Sequence, residues 1–310
     1  MPRIADRLLD CSIYLYESSD DALTGKSCGG SGFIVGVVSE LAHLPFAYAV
    51  TNSHVIREAR ALVLRFNTAD GQYDLQKTTP EMWTHHTDGD DVAVCKVDLS
   101  DDRHKFRMVM TDEFVTKDLI KAKDIGPGDD VFMVGRFVNH EGKQRNLPTV
   151  RFGNIAQMPG EPILNRRGLL QESFLVETRS MGGCSGSPVF IHIAITPDEL
   201  WMPESLRSLW PSSKRRLQPA PTVFAKAIDH TERLEYHGPW LLGIDWGHLS
   251  AYEPIFEKDQ QTRVAGDLFA RSNTGMAGIV PAWKILELLN TEELVMQRRS
   301  PDMKGHLPGT

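Results

Sequence analysis

The feature that most constrains this chain is a long succession of short β-branched runs broken by turn residues. Ser12 to Tyr16, Gly32 to Val38, Phe46 to Val50, Ala61 to Phe66 and Asp91 to Val97 each have the pattern of a strand. So do Asp130 to Val134, Thr149 to Phe152, Phe174 to Glu177 and Pro188 to Ile193. Branched and aromatic side chains fit a pleated, half-buried surface, so such runs are best buried in sheets. Many of them without regular helices between predict an all-β sandwich or barrels, not an alternating α/β fold. Helical signals are few and late. Thr196-Pro197-Asp198-Glu199 has a capping Thr, Pro at the first helical position and Glu three residues after the cap, but Pro203 limits it to a short or broken helix. Pro281 to Leu289 predicts a C-terminal helix, with Trp283, Leu286 and either Leu289 or Ile285 on one face.

Length and charge narrow the function. With 310 residues there is room for two domains or one large one. Lys and Arg total 34 against 41 Asp and Glu, a net charge of −7, which argues against a nucleic-acid partner. The most apolar stretch, Gly32 to Val50, is interrupted by Glu40, His43 and Pro45. It falls short of the roughly 18 apolar residues that cross a membrane, so no membrane partner is expected. Cys11, Cys28, Cys95 and Cys184 form no close pair, and no metal or other cofactor is expected. The N-terminus lacks an apolar leader, so reduced thiols in a cytoplasmic location are the expectation. Residues 194–239 are rich in proline and carry the basic run Lys214-Arg215-Arg216. They predict a surface insertion, a lid or a site for a regulatory partner. Residues 298–310 predict a frayed, flexible tail.

Three segments carry chemistry. Ala49-Val-Thr-Asn-Ser-His54 runs an apolar strand straight into a histidine, and Gly30-Ser-Gly lies upstream of it. Asp88-Gly-Asp-Asp91-Val-Ala-Val opens a buried strand with an acidic turn. Met181-Gly-Gly-Cys-Ser185-Gly-Ser-Pro sets a serine among small residues, where glycine permits unusual backbone angles and close approach of a ligand. A serine hydroxyl is a weak nucleophile that needs a base in reach, and the base needs an orienting acid. The order here is His, Asp, Ser. The α/β-hydrolases run Ser, Asp, His, and their G-x-S-x-G turn fails here at Ser187.

Together these segments resemble the trypsin-like serine peptidases of the chymotrypsin-fold superfamily, over about residues 10–193 and again 240–290. Thr51-Asn-Ser-His-Val is similar to the histidine motif of bacterial HtrA/Deg-type proteases, Asp91-Val-Ala-Val to the aspartate motif, and Gly183-Cys-Ser-Gly-Ser-Pro188 to the serine motif. The resemblance implies two six-stranded antiparallel β-barrels with the site between them and a C-terminal helix. Residues 1–125 would supply His54 and Asp91, with Asp90 as the runner-up acid, and residues 126–297 would supply Ser185. The backbone N–H groups of Gly183 and Ser185 would form an oxyanion hole. Arg179, Ser180, Trp246 and Gly247 would bind substrate, in a pocket lined by residues 178–181, 246–248 and 275–279. Arg179 at the pocket base argues against cleavage after Lys or Arg and favours an acidic or small residue, unless it pairs with Glu177 or points outward. The implied activity is a serine endopeptidase acting on a protein or peptide. The alternative is an inactive or gated peptide-binding module on the same fold.

Four departures stand out. Ser187 replaces a glycine of the serine motif. Cys184 stands where secreted relatives carry the Asp that pairs with a new N-terminus, so activation by N-terminal cleavage is not expected. Val55 stands where a disulfide partner of Cys28 would be. Asp245 stands where relatives carry Ser or Asn, which means a shifted register or a carboxylate facing a cation or solvent. No PDZ-like domain is expected after the C-terminal helix, nor an HtrA-like trimer.

Overall fold

The computed structural model describes residues 3–39, 45–137, 142–165, 167–178, 183–193, 238–255 and 268–299. The helix expected from Thr196, nearly all of the 194–239 insertion and residues 300–310 lie outside the described residues, as do Arg179 and Ser180.

The chain is mostly β. The first sheet holds β1 (Ser12–Tyr16), β2 (Cys28–Val38), β3 (Pro45–Thr51), β4 (Val63–Asn67), β5 (Tyr73–Lys77), β6 (Trp83–His85), β7 (Ala93–Lys96) and β8 (Val109–Met110). Its order is β5-β4-β1-β2-β3-β7-β6, with β8 parallel to β2. The second sheet is a closed barrel of β9 (Asp130–Gly135), β10 (Thr149–Gln157), β13 (Phe174–Glu177), β14 (Pro188–Ile191), β15 (Trp240–Pro254) and β16 (Phe269–Pro281). Between β10 and β13 lies a small hairpin of β11 (Ile163–Leu164) and β12 (Leu170–Gln171).

The barrel has the six strands that the family resemblance implies, whereas the first sheet is curled but open and has eight. Its ladder runs out between β5 and β6, where the chain turns through Pro80–Met82. Pro80 has no N–H to contribute to a ladder.

Period-two alternation explains how the two sheets pack. In β2 and β3, Ile34, Ala47 and Ala49 fill the interior of the first sheet with Ile13, Leu15 and Trp83. The alternate residues Phe33, Val35, Tyr48 and Val50 meet Phe132, Val134, Phe190 and Ile244 of the barrel. Both faces of these strands are therefore buried, which accounts for the nearly continuous apolar stretch around them. The barrel interior is filled by Val131, Met133, Val176, Val189, Leu242 and Ile279.

Helices are more numerous than their sequence signals suggest. Among the described residues, four short ones precede the barrel's last strands: α1 (Asp6–Leu9), α2 (Ser19–Thr24), α3 (Ser53–Arg57) and α4 (Lys117–Lys123). Ser18 and Thr116 cap α2 and α4, each side chain accepting a hydrogen bond from an N–H three residues on. One or two turns leave too few residues for a helical hydrophobic period to show. The expected C-terminal helix is α5 (Ala282–Leu289), followed by α6 (Glu292–Arg299). Trp283, Ile285, Leu288 and Leu289 are its buried side, while Leu286 is only partly buried. No helix among the described residues is long and apolar enough to cross a membrane.

A buried cation ties the loop between β9 and β10 to the first sheet. Arg65 on β4 has no exposed surface. Its guanidinium donates to Asn146 Oδ1 at 2.7 Å, Ala22 O at 2.8 Å and Gly142 O at 2.9 Å. It also lies 4.8 Å from the centre of the Tyr16 ring. Asn146 answers by donating its Nδ2 to Arg65 O at 2.7 Å. Removing the cation strands three acceptors in a dry interior, so Arg65→Met will cost about 3 kcal/mol or more. Urea unfolding followed by tryptophan fluorescence will measure this. Arg103→Met, which breaks the solvent-exposed pair with Asp74, will cost less than about 1 kcal/mol in the same assay.

Candidate active site

His54 stands in the first turn of α3, directly after the fully buried end of β3. Asn52 keeps an extended conformation (φ −78°, ψ 148°) and lets the chain turn from strand into helix. Val55 and Ile56 then anchor the turn in the core. Asp91 sits in the acidic turn before β7. One carboxylate oxygen lies 2.5 Å from His54 Nδ1, and the other accepts the His54 backbone N–H at 2.9 Å. Asn52 Nδ2 donates to the Asp91 carbonyl at 2.8 Å. A carboxylate at Nδ1 keeps the proton on that nitrogen and the lone pair on Nε2.

The neighbouring carboxylate points elsewhere. Asp90 lies 3.3 Å from His86 Nδ1 and 3.4 Å from Lys284 Nζ on α5. Burial pushes its carboxyl above the usual range, with Lys284 and His86 opposing the shift. Of Asp90 and Asp91, the structure sets Asp91 on His54.

Ser53 steadies the turn from below. Its hydroxyl donates to Val92 O at 2.9 Å and lies 2.9 Å from His85 Nδ1. The one hydroxyl proton goes to the carbonyl, so His85 Nδ1–H is the donor to the oxygen. Burial, then Arg57 and Arg167, push His85 down to about 4, which keeps that imidazole neutral.

Ser185 arrives from the barrel, in the loop before β14. Its carbonyl accepts the Ser31 N–H at 2.8 Å, and Gly186 N–H donates to Asp245 O at 2.8 Å. Gly186 has φ +91°, and a Cβ there would stand 1.8 Å from Ser31 O. Only glycine fits. Gly183 likewise has φ +87°, and the Arg136 guanidinium covers it at 3.2 Å from where a Cβ would be. Arg136 also donates to Cys28 O at 2.7 Å, joining the serine loop to the start of β2. The Ser185 hydroxyl donates to Trp246 O at 3.4 Å. It makes no hydrogen bond to His54 among the described residues.

The departures from the family pattern acquire physical reasons. Ser187 is fully buried against Gly135, where any Cβ would lie 2.1 Å from its Oγ. The larger residue is thus matched by a missing side chain across the barrel. Asp245 has no exposed surface and accepts the Gly247 N–H at 3.1 Å, so it does not face solvent. The ladder between β15 and β16 shifts at Trp246, a bulge that separates Asp245 from Gly247. The Trp246 ring is buried over Gly278, and its Nε1 donates to Ser173 Oγ at 3.2 Å. All four cysteines are free. Gly30 rather than a bridge faces Val55, at 2.8 Å from where a Cβ would be. The Cys184 sulfur receives Arg151 Nη1 at 3.0 Å.

Thr178 and Gly275, both expected to line the specificity pocket, border a cavity of about 710 Å³ with Phe137, Arg151, Phe152 and Asn154. Trp246 and Gly247 are not among its described lining. Arg136, Gln171, Ser173 and the Ser53–His85 pair escaped the sequence analysis, because each matters through a partner far away in the chain.

His85 generates a pH prediction. Its folded value near 4 lies below the ordinary 6.5, so between those values the unfolded chain binds a proton that the folded chain refuses. Stability from this residue is complete above pH about 6.5 and is lost as pH falls toward 4. The urea midpoint will fall over this window, and His85→Asn will flatten the fall.

No curated protein sequence matches the chain. Among solved structures, the MamO protease domain from Magnetospirillum magneticum is similar over 92% of this chain and 98% of its own, at 14% identity and a TM-score of 0.49. The HtrA-type protease AlgW with a decapeptide is similar over 87% of this chain, at 16% identity and a TM-score of 0.41. This chain spans 52% of the AlgW chain, about half its length. The family model of the trypsin-like peptidase domain matches residues 30–192, more than half of the sequence and all three motif segments. On that match, the chain belongs to the trypsin-like peptidase domain family.

Proposed function

We propose that the chain is a serine endopeptidase in which Ser185 is the nucleophile, His54 the base and Asp91 the orienting acid. The observation that carries this reading is the Asp91 carboxylate on His54 Nδ1 at 2.5 Å, which leaves Nε2 free to take a proton. Ser185 attacks the carbonyl carbon of a peptide bond while its hydroxyl proton passes to His54 Nε2. Asp91 stabilises the imidazolium that results. The backbone N–H groups of Gly183 and Ser185 receive the developing oxyanion. His54 then gives its proton to the leaving amine, and water releases the acyl group by the same route. Arg179, Ser180, Trp246 and Gly247 are the proposed substrate contacts, on a protein or peptide substrate.

One observation favours a second reading, in which the site is gated or used only for docking peptides. The Ser185 hydroxyl rests on Trp246 O and not on His54. At 3.4 Å that bond is long for a hydroxyl donor, so turning the hydroxyl toward His54 forfeits little.

Labelling with a fluorophosphonate separates the two. The peptidase reading requires labelling of the wild-type chain, none in Ser185→Ala, and a rate lower by about 1,000-fold or more in His54→Ala and Asp91→Asn. A folded wild-type protein that resists the probe while binding peptides would establish the second reading.

A further inference from the structure

We infer that Gln171 is a positioning residue that sets the Asp91 carboxylate from the small β11–β12 hairpin. Its catalytic consequence rests on the peptidase reading above. Gln171 ends β12 in the small hairpin and is 1% exposed. Its Oε1 accepts the backbone N–H of Asp91 at 2.8 Å, across 80 positions of sequence. Asp91 is thereby held at three points: its N–H by Gln171, its carbonyl by Asn52 and its carboxylate by His54. Without Gln171, a buried N–H in a turn loses its acceptor, and the turn must move to find another.

The Gln171 amide cannot swivel freely. Asn165 Nδ2 donates to the same Oε1 at 3.3 Å, and Gln171 Nε2 donates to Ser173 Oγ at 3.3 Å. Ser173 Oγ also accepts Trp246 Nε1 at 3.2 Å. Oε1 accepts two N–H groups and Nε2 meets the oxygen of Ser173, so the amide orientation is fixed by its neighbours. Asn165 is itself held, since its Oδ1 accepts the N–H groups of Arg167 at 2.9 Å and Leu169 at 3.1 Å. The path continues to the strand whose Trp246 carbonyl holds the Ser185 hydroxyl. Acid and nucleophile are therefore linked by a route that does not pass through His54.

The test uses the whole chain and two readouts that loss of stability alone would not move. The first is the proton resonance of His54 Nδ1–H, assigned with His54→Ala. The second is the rate of fluorophosphonate labelling per folded molecule. A proton shared in a short bond with a carboxylate resonates far downfield, so Gln171→Met will move that resonance upfield as the Asp91 carboxylate loses its place. The labelling rate at neutral pH will fall about tenfold. A His54 Nδ1–H resonance and a labelling rate both unchanged from wild type overturn the proposal. If Gln171→Met does not fold, Gln171→Asn, which keeps the amide but shortens its reach, is held to the same outcomes. A wild-type chain that never labels, but whose His54 Nδ1–H resonance still moves in Gln171→Met, would sink the peptidase reading and uphold the role of Gln171.

Discussion

At Gly30–Gly32 the backbone of β2 runs in direct contact with the loop Ser185–Gly186, and the placement of the two sheets follows from that contact. Ser31 N–H reaches Ser185 O at 2.8 Å, and Thr51 Oγ1 reaches Ser31 O at 2.7 Å. A Cβ on Gly186 would overlap Ser31 O, and one on Gly30 would press on Val55 and on Ser185 O. Because no side chain stands between them, a loop of the barrel comes within hydrogen-bond distance of the first sheet. It arrives beside Val55, one residue from His54. The small residues that made the sequence segments conspicuous are thus required by the seam between the sheets, as well as by any ligand.

Adjacent residues around this seam have opposite fates, and electrostatics decides which is which. Asp91 turns to His54, where its carboxylate receives both a ring nitrogen and a backbone N–H. Asp90 turns to His86 and Lys284, fastening the acidic turn to α5. His86 also lies 3.4 Å from Glu287, so this side of the turn is a charged clasp. His85, next in sequence, stays neutral beneath Ser53. Asp90 and Asp91 avoid conflict because each meets a base of its own, Asp90 with His86 and Lys284 and Asp91 with His54.

Apolar packing alone would not fix one sheet against the other, since hydrophobic attraction has no direction. Buried polar side chains supply the direction here. Arg65 holds the loop of Gly142 and Asn146, Arg136 joins Cys28 to the Gly183 turn, and Gln171 reaches from the barrel's hairpin to the Asp91 backbone. Each joins the first sheet, or the turn it carries, to the loops and hairpin around the barrel, and each is buried. A buried polar group tolerates few orientations, since each unmade hydrogen bond costs free energy that water no longer repays. Such groups specify a unique relation between sheets that otherwise share only an apolar face.

Much of the architecture was legible in the sequence because strand formation leaves a local record. Short runs of branched and aromatic residues bounded by turn residues marked β1, β3 and β9, and the double burial of β2 and β3 showed as a nearly continuous apolar stretch. The three motif segments were legible for the same reason, as each is a short run with its own turn chemistry. Short capped helices such as α2 and α4 were not, because so few residues show no period. The open edge of the first sheet and the bulge at Trp246 were also hidden, because both depend on which strands meet. The family resemblance ranked Asp91 ahead of Asp90, but the local sequence carried no physical reason for that order. The reason lies in the tertiary structure, which brings Lys284 to one and Gln171 to the other across long stretches of chain. Local pattern is written in neighbouring residues, but hydrogen bonds between distant residues exist only once the sheets have closed on each other.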